Sequence, residues 1–273
     1  KVLHKILEKP LLGYVLDSVS PLVDARPIVV IGHGGSSIKE YYEDSLAYRE
    51  QKNQLGTGDA VKSGIGALAD EEAVFVLCGD APLIRRETLE QMLESFKNGQ
   101  AGAVVLTAVL PDSTGYGRIV KEADGSFRKI VEEKDADEEV RKIREINSGT
   151  YIFNRRLLEE SLGELKNDNA QGEYYLTDVL ELIRGKGFKV GIHLVADCDE
   201  IIGINNRVQL EEASRVVRRR INEKLMMSGV TFEDSATAYI SSEVRIGEDV
   251  LSGPNVSITG RTVIEDDVVI GPN

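Results

Sequence analysis

Ala73-Val-Phe-Val-Leu-Cys-Gly-Asp80 is an apolar run that stops on a glycine and a carboxylate. Six apolar residues without a polar break read as a strand buried on both faces, as in a parallel sheet covered by helices. The same rhythm repeats on either side. Upstream, Pro10 opens an amphipathic helix through Leu11, Val15 and Val19, Arg26-Pro-Ile-Val-Val-Ile-Gly32 is a second buried strand, and Ser36 through Glu50 reads as helix. Ala60 to Ala69 is expected to be helical. Downstream, a polar helix is expected over 85–98 and a strand over 101–110. The alternation predicts an α/β domain with a Rossmann-like, mostly parallel sheet. Ligands in such sheets bind beyond the carboxyl ends of the strands, which is where Asp80 falls.

The rhythm breaks between Tyr116 and Asn154. Asp124-Gly125 divides two short strand-like runs within 118–132 and predicts a hairpin, followed by a strand over 147–153 and a helix over 174–184. An insertion of this kind at the ligand edge of a sheet reads as a specificity lobe. From Asn205 or Asn206 a helix carries Leu210, Ala213, Val217, Ile221 and Leu225 on one stripe and ends before Gly229. We read it as a connector. Beyond it Ile240, Ile246, Ser252, Ile258, Ile264 and Ile270 recur every six residues, with Val244, Val250, Val256, Thr262 and Val268 in a second register. This period fits the hexapeptide repeat of a parallel β-helix, at about 18 residues per coil, and the tail holds slightly less than two coils. Three parts are therefore expected: 1–204, a linker helix over 205–229, and a shortened repeat over 230–273.

Composition narrows the function. In 273 residues the net charge is −13, which argues against nucleic acid as a partner. It leaves room for a small anionic nucleotide. No apolar run approaches the ~20 residues that span a bilayer, so no membrane association is expected. Cys78 and Cys198 are too few for a disulfide framework, and a reducing cytoplasm is the expected compartment.

Gln51-Lys-Asn-Gln-Leu-Gly-Thr-Gly-Asp-Ala60 is a polar loop marked by two glycines. Carboxamides at Gln51 and Gln54 can pair with a base edge, and Gly56 allows close approach of backbone amides. It reads equally as a loop entering a helix, with Thr57 or Asp59 as N-cap. Asp80 can hold a divalent metal on a rigid element or cap the following turn; with the loop preceding it in order, the metal role is favoured. Asn205 can complete an oxygen shell around such an ion or cap the connector helix. Tyr116-Gly117, Glu132, Asn147 and the run Asn169-Ala-Gln-Gly-Glu-Tyr-Tyr175 offer donors and acceptors suited to sugar hydroxyls, although Glu132 reads equally as a solvated strand residue. His4 and His193 lack partners at ligand spacing and read as structural, and His33 in Gly-His-Gly-Gly is left without a role.

These pieces occur in one order: the Gln/Gly/Thr loop, Gly-Asp, Thr114-Gly-Tyr-Gly-Arg118, Val131-Glu-Glu-Lys-Asp-Ala136, Glu145-Ile-Asn-Ser-Gly149, Gln171-Gly-Glu-Tyr-Tyr175 and Asn205-Asn-Arg207. The ordered set resembles the sugar-nucleotide pyrophosphorylases, in particular the uridylyltransferase half of the bifunctional enzymes that make UDP-N-acetylglucosamine. The resemblance implies a nucleotidyltransferase domain, then a linker helix and the start of a left-handed parallel β-helix that forms homotrimers. It implies UTP and N-acetylglucosamine-1-phosphate as substrates and Mg²⁺ as cofactor. By the same resemblance Gln51, Gly56 and Thr57 contact uridine, and Gly117, Glu132, Asn147 and Tyr175 lie at the sugar. Asp80 and Asn205 hold the metal, and Lys1 contacts phosphate and supports transition-state charge. Ser148 stands where the family usually has Thr and keeps the hydroxyl. The family's glycine-rich loop and first strand would precede Lys1, so weak uridylyl transfer is expected of this stretch, and no acetyl transfer, which belongs to later coils. Alternatives are a related nucleotidyltransferase using another base or sugar, and a non-catalytic trimeric assembly module.

Overall fold

The computed structural model describes residues 1–68 and 72–273. The expected helix over 60–69 therefore ends, at Ala69, outside the described residues. In chain order the strands β1 (Lys5–Ile6) and β2 (Lys9–Pro10) precede helix α1 (Leu11–Val19). There follow β3 (Ile28–Ile31), α2 (Ser36–Tyr42), β4 (Ala47–Glu50), α3 (Thr57–Ile65), β5 (Ala73–Val76), α4 (Arg86–Gly99), β6 (Ala103–Val109), β7 (Arg118–Lys121) and β8 (Phe127–Val131). The short α5 (Glu138–Arg141), β9 (Glu145–Asn154), α6 (Arg155–Leu162), α7 (Thr177–Gly185), β10 (Val190–Leu194) and the long α8 (Arg207–Met227) come next. Seven two-residue strands close the chain: β11 (Thr231–Phe232), β12 (Tyr239–Ile240), β13 (Arg245–Ile246), β14 (Leu251–Ser252), β15 (Ser257–Ile258), β16 (Val263–Ile264) and β17 (Val269–Ile270). The residues fall into two compact units. One is Ser18–Cys78 with Arg85–Cys198; the other is Lys1–Asp17, Gly79–Ile84 and Asp199–Asn273.

In the larger unit a sheet runs β10-β6-β9-β7-β8, with β5 also on β9, and β3 pairs β4 in a separate parallel pair. The sheet is mixed, where a mostly parallel one was expected. Among the described residues only β10 and β6 pair in parallel in it; β9 is antiparallel to β6, to β5 and to β7. The reason lies in the 116–154 segment: the chain leaves β6, makes the β7–β8 hairpin and enters β9 from the opposite end. Gly125, at φ 84, supplies the left-handed residue that this hairpin needs. A second difference concerns 36–50. The helix ends at Tyr42 because Glu43 turns to φ 46, and Ala47–Glu50 extends alongside β3.

Alternate residues of β6 and β9 point to opposite faces. Ala103, Val105, Tyr151 and Phe153 pack with Leu157, Leu158, Leu162, Val179, Leu180 and Ile183 of α6 and α7. Val104, Leu106 and Ile152 are buried on the other side, where α4 brings Leu89 and Met92. Each large aliphatic or phenylalanine side chain among them contributes roughly 1.5–3 kcal/mol when removed from water.

In the smaller unit the stripe expected on α8 faces the core, with Ala213 and Val217 buried and Leu210, Ile221 and Leu225 partly so. Ala213, Val216 and Val217 pack with Ile6, Leu11, Leu83 and Ile204, while Ile221 and Leu225 pack against Ala238, Ile240, Val256 and Ile258. The short strands pair in parallel, β12 with β15, β13 with β16 and β14 with β17, each with a partner eighteen residues on. Asn222 joins helix to strands: it is 1% exposed, and its Nδ2 donates to the carbonyls of Ser235 and Ala238 at 2.8 and 3.0 Å. Among the described residues no helix is long and apolar enough to cross a membrane.

Replacing Asn222 by Ala strips both carbonyls of their donor, and a loss of about 2–4 kcal/mol is expected from buried groups left unpaired. Urea unfolding should show it as a lower midpoint with unchanged slope.

Candidate active site

Three side chains far apart in sequence meet in the smaller unit. The carbonyl of Asp80 accepts from the amide of Ile204 at 2.9 Å, which ties the Gly79–Ile84 segment to the turn before α8. At that turn Asn206, not Asn205, is the helix cap: its Oδ1 accepts from the Gln209 amide at 2.9 Å. Asn205 instead donates its backbone N–H to Gln209 Oε1 at 2.7 Å, so its carboxamide oxygen is left for another partner. That partner is Lys1. Its Nζ donates to Asn205 Oδ1 at 2.8 Å and also to Asp80 Oδ2. The Lys1 and Asp80 side chains are 42% and 28% exposed, so the ion pair contributes only about 0–1 kcal/mol and is readily exchanged.

A carboxylate oxygen and an amide oxygen thus converge on one cation, here an ammonium standing where a metal ion could stand. Among the described residues no three His, Cys, Asp or Glu side chains gather as a metal cluster. Two protein oxygens suit an ion that takes its remaining ligands from substrate phosphates and water.

The Gln51–Ala60 loop lies in the larger unit and is stitched to 173–176. The amide of Tyr174 donates to the Leu55 carbonyl at 2.8 Å, and the Gly58 amide to the Tyr174 carbonyl at 2.8 Å. Thr57 Oγ1 accepts from the Leu176 amide at 3.0 Å. Gly56 has φ 113, and a Cβ there would lie 2.6 Å from the Tyr174 carbonyl oxygen, so only glycine fits. Gly56 is itself the N-cap position of α3; neither Thr57 nor Asp59 caps it. Gln51 spends its Nε2 on the Gly56 carbonyl at 3.0 Å and on Asp59 Oδ2 at 2.9 Å. Its Oε1 makes no hydrogen bond to the described residues and remains available as an acceptor.

Gly117, Glu132 and Asn147 also come together. The Asn147 amide donates to the Gly117 carbonyl at 2.9 Å, and a Cβ at Gly117 would lie 3.2 Å from Glu132 Oε2. Two neighbours that the sequence did not single out complete the set. Thr177 donates to Glu132 Oε1 at 3.0 Å, and Asn147 donates its Nδ2 to the Tyr151 hydroxyl at 2.7 Å. Burial raises the Glu132 pKa, and the Thr177 hydrogen bond partly offsets it. Tyr175 is 7% exposed and accepts from Gln171 Nε2 at 2.9 Å. Of the histidines, His193 lies on β10 with its pKa lowered by burial, and that of His4 is lowered first by burial and then by Arg207.

Residues 1–171 match the model of the MobA-like NTP transferase domain. The chain belongs to that family. This NTP transferase chain is similar along its whole length to the bifunctional protein GlmU of Geobacillus thermodenitrificans (47% identical) and to that of Clostridioides difficile (42% identical), covering 60% of each. The GlmU of an Exiguobacterium species is 45% identical and is covered to 61%. The chain thus spans about three fifths of the length of these relatives. In fold it is similar to UDP-glucose pyrophosphorylase, both complexed with UDP-glucose (TM-score 0.64, 21% identity, 81% of this chain and 90% of that one) and in the apo form (TM-score 0.66, 19% identity, 81% and 91%).

One carboxyl near Glu132 is held unfavourably. Asp178, in the first turn of α7, has its pKa pushed up to about 6 by burial and then by Glu181, Glu132 and Asp135, against a smaller opposing pull from Lys129. Above pH 6 the folded chain carries a charge that it holds poorly, and Asp178 opposes folding. Between pH 6 and 3.8 the folded state keeps its proton more readily than the unfolded one, so the penalty fades on acidification. Asp178→Asn should raise the melting temperature at pH 7.5, and the gain should shrink by pH 4.5 in paired thermal scans.

Proposed function

We propose that this NTP transferase domain performs uridylyl transfer from UTP to N-acetylglucosamine-1-phosphate, giving UDP-N-acetylglucosamine and pyrophosphate. Similarity to GlmU proteins over the whole chain supports the reading. The observation that carries it is the meeting of Asp80 and Asn205 oxygens on a single, exchangeable cation. Mg²⁺ fits that pair, and when bound it supplies charge neutralisation at the attacked α-phosphate and the departing pyrophosphate.

The chain's own residues supply the rest. Asp80 and Asn205 present fixed oxygens. Lys1, loosely held where it is, offers a positive charge to phosphoryl oxygens. Gln51 keeps one acceptor for a uracil N–H, Gly56 and Thr57 shape the loop around the base, and Gly117, Glu132, Asn147 and Tyr175 bind the sugar. Because Asn147 and Glu132 are already anchored by Tyr151 and Thr177, they need little reordering to receive hydroxyls. The sugar phosphate oxygen attacks the α-phosphorus in line, with no covalent enzyme intermediate.

The same reading assigns 1–204 to nucleotidyl transfer, 205–229 to a linker helix and 230–273 to the start of a left-handed β-helix. The eighteen-residue parallel pairing supports the last of these. It also implies a cytoplasmic homotrimer whose further coils carry acetyl transfer.

Calorimetric titration of the chain with UDP-N-acetylglucosamine should show tighter binding with MgCl₂. Asp80→Asn should abolish that Mg²⁺ dependence, and Asn205→Ala should weaken it by about tenfold, equivalent to one lost ligand of about 1.4 kcal/mol. Unchanged Mg²⁺ dependence in Asp80→Asn would overturn the metal assignment. Preferential binding of dTDP-glucose would shift the reading to another base and sugar, and absence of any UDP-sugar binding would favour an assembly role.

A further inference from the structure

A cleft of about 470 Å³ opens in the larger unit beside the β7–β8 hairpin, and no part of the proposed uridylyl transfer uses it. Arg118, Arg141, Lys142 and Arg144 line it, opposed by Asp112 and Glu133. In a chain of net charge −13, this local surplus of positive charge runs against the background.

Both acids are already committed. Glu133 Oε2 accepts from Arg118 Nη2 at 2.7 Å and from the Gly115 amide at 3.1 Å, and Arg141 Nε lies 3.6 Å from its other oxygen. Asp112 Oδ1 accepts from the Thr114 amide at 3.0 Å. The cations are less well served. Arg118 is 2% exposed; its Nη1 donates to the Tyr116 carbonyl, while its Nε has no hydrogen-bond partner. A buried N–H left unpaired is disfavoured until an acceptor reaches it. Arg144 is exposed and makes no side-chain hydrogen bond or ion pair among the described residues. Among the described residues Lys142 is tied only to Glu139, both well exposed, an attachment that yields easily.

We propose that this cleft binds a small phosphate-bearing anion. A tetrahedral dianion carries enough acceptors to meet guanidinium forks from two directions and an ammonium at once, which a single planar carboxylate does not. The site is separate from the residues assigned to uridine and sugar, yet it is joined to them through one dipeptide. Glu132 turns to Thr177 and Gly117, and Glu133 turns to Arg118 and Gly115. An anion that draws on the exposed Arg141 therefore competes with Glu133, the residue next to Glu132, as an effector would.

The test is a ¹H–¹⁵N titration of the whole chain with inorganic phosphate. Amides in 112–118 and 141–145 should shift saturably, and affinity should fall as salt rises. Arg144→Ser, at an exposed position that leaves the fold intact, should weaken phosphate binding by about tenfold with an unchanged melting temperature, as expected for loss of a charge-assisted contact. Shifts confined to the surroundings of Lys1, or wild-type phosphate affinity in Arg144→Ser, would overturn the proposal. Acetate binding as tightly as phosphate would overturn the choice of ligand class.

Discussion

A single ten-residue strand inside the main sheet has to pair along both of its own edges, and the larger unit is organised by how it does so. On one edge β9 takes β6 along nearly its whole length. The other edge is divided, with β5 on Tyr151–Asn154 and β7 meeting Ile146. Gly149 lies between these two stretches at φ 80, and a Cβ there would come within 2.9 Å of Cys78 Sγ. A residue without a side chain suits this change of neighbour, since its φ and the nearness of Cys78 both disfavour a Cβ there. Asn147 follows from the same arrangement: its backbone is held by Gly117 and its amide group by Tyr151, four residues on along the same strand.

The smaller unit works on a different principle. Its apolar stripe on α8 is rigidly packed, but the polar groups at the start of that helix are held by partly exposed contacts of low net worth. Rigid backbone with exchangeable side-chain partners is what a binding site for charged groups requires. The backbones of Asp80 and Asn205 are held by the Ile204 and Gln209 hydrogen bonds, whichever cation their side-chain oxygens face.

Much of this was legible where a segment admits one interpretation. The strand at 101–110, the Asp124-Gly125 hairpin, the α8 stripe and the six-residue period of the tail all rest on local periodicity or turn chemistry. Other features depend on partners remote in sequence. Ala47-Tyr-Arg-Glu50 has neither an apolar alternation nor a turn signal; it is extended because β3 lies beside it. Strand direction around β9 is a property of the path between elements, which residue patterns do not encode. Two consecutive asparagines divide the roles of helix cap and of acceptor for Lys1, and only the helix start tells them apart. Tyr151 and Thr177 read as ordinary core and helix-start residues; their polar partners, Asn147 on the same strand and Glu132 just past the end of β8, emerge only from the fold.

The crowding at Gly56 bears on how relatives of this chain should be interpreted. The residue is enforced by the Tyr174 backbone, before any nucleotide is considered. Glycine retained there across a set of homologues would be evidence of loop closure alone. Its persistence would say nothing about which base is read, and a family member that had lost all catalysis but kept its fold would keep this glycine too.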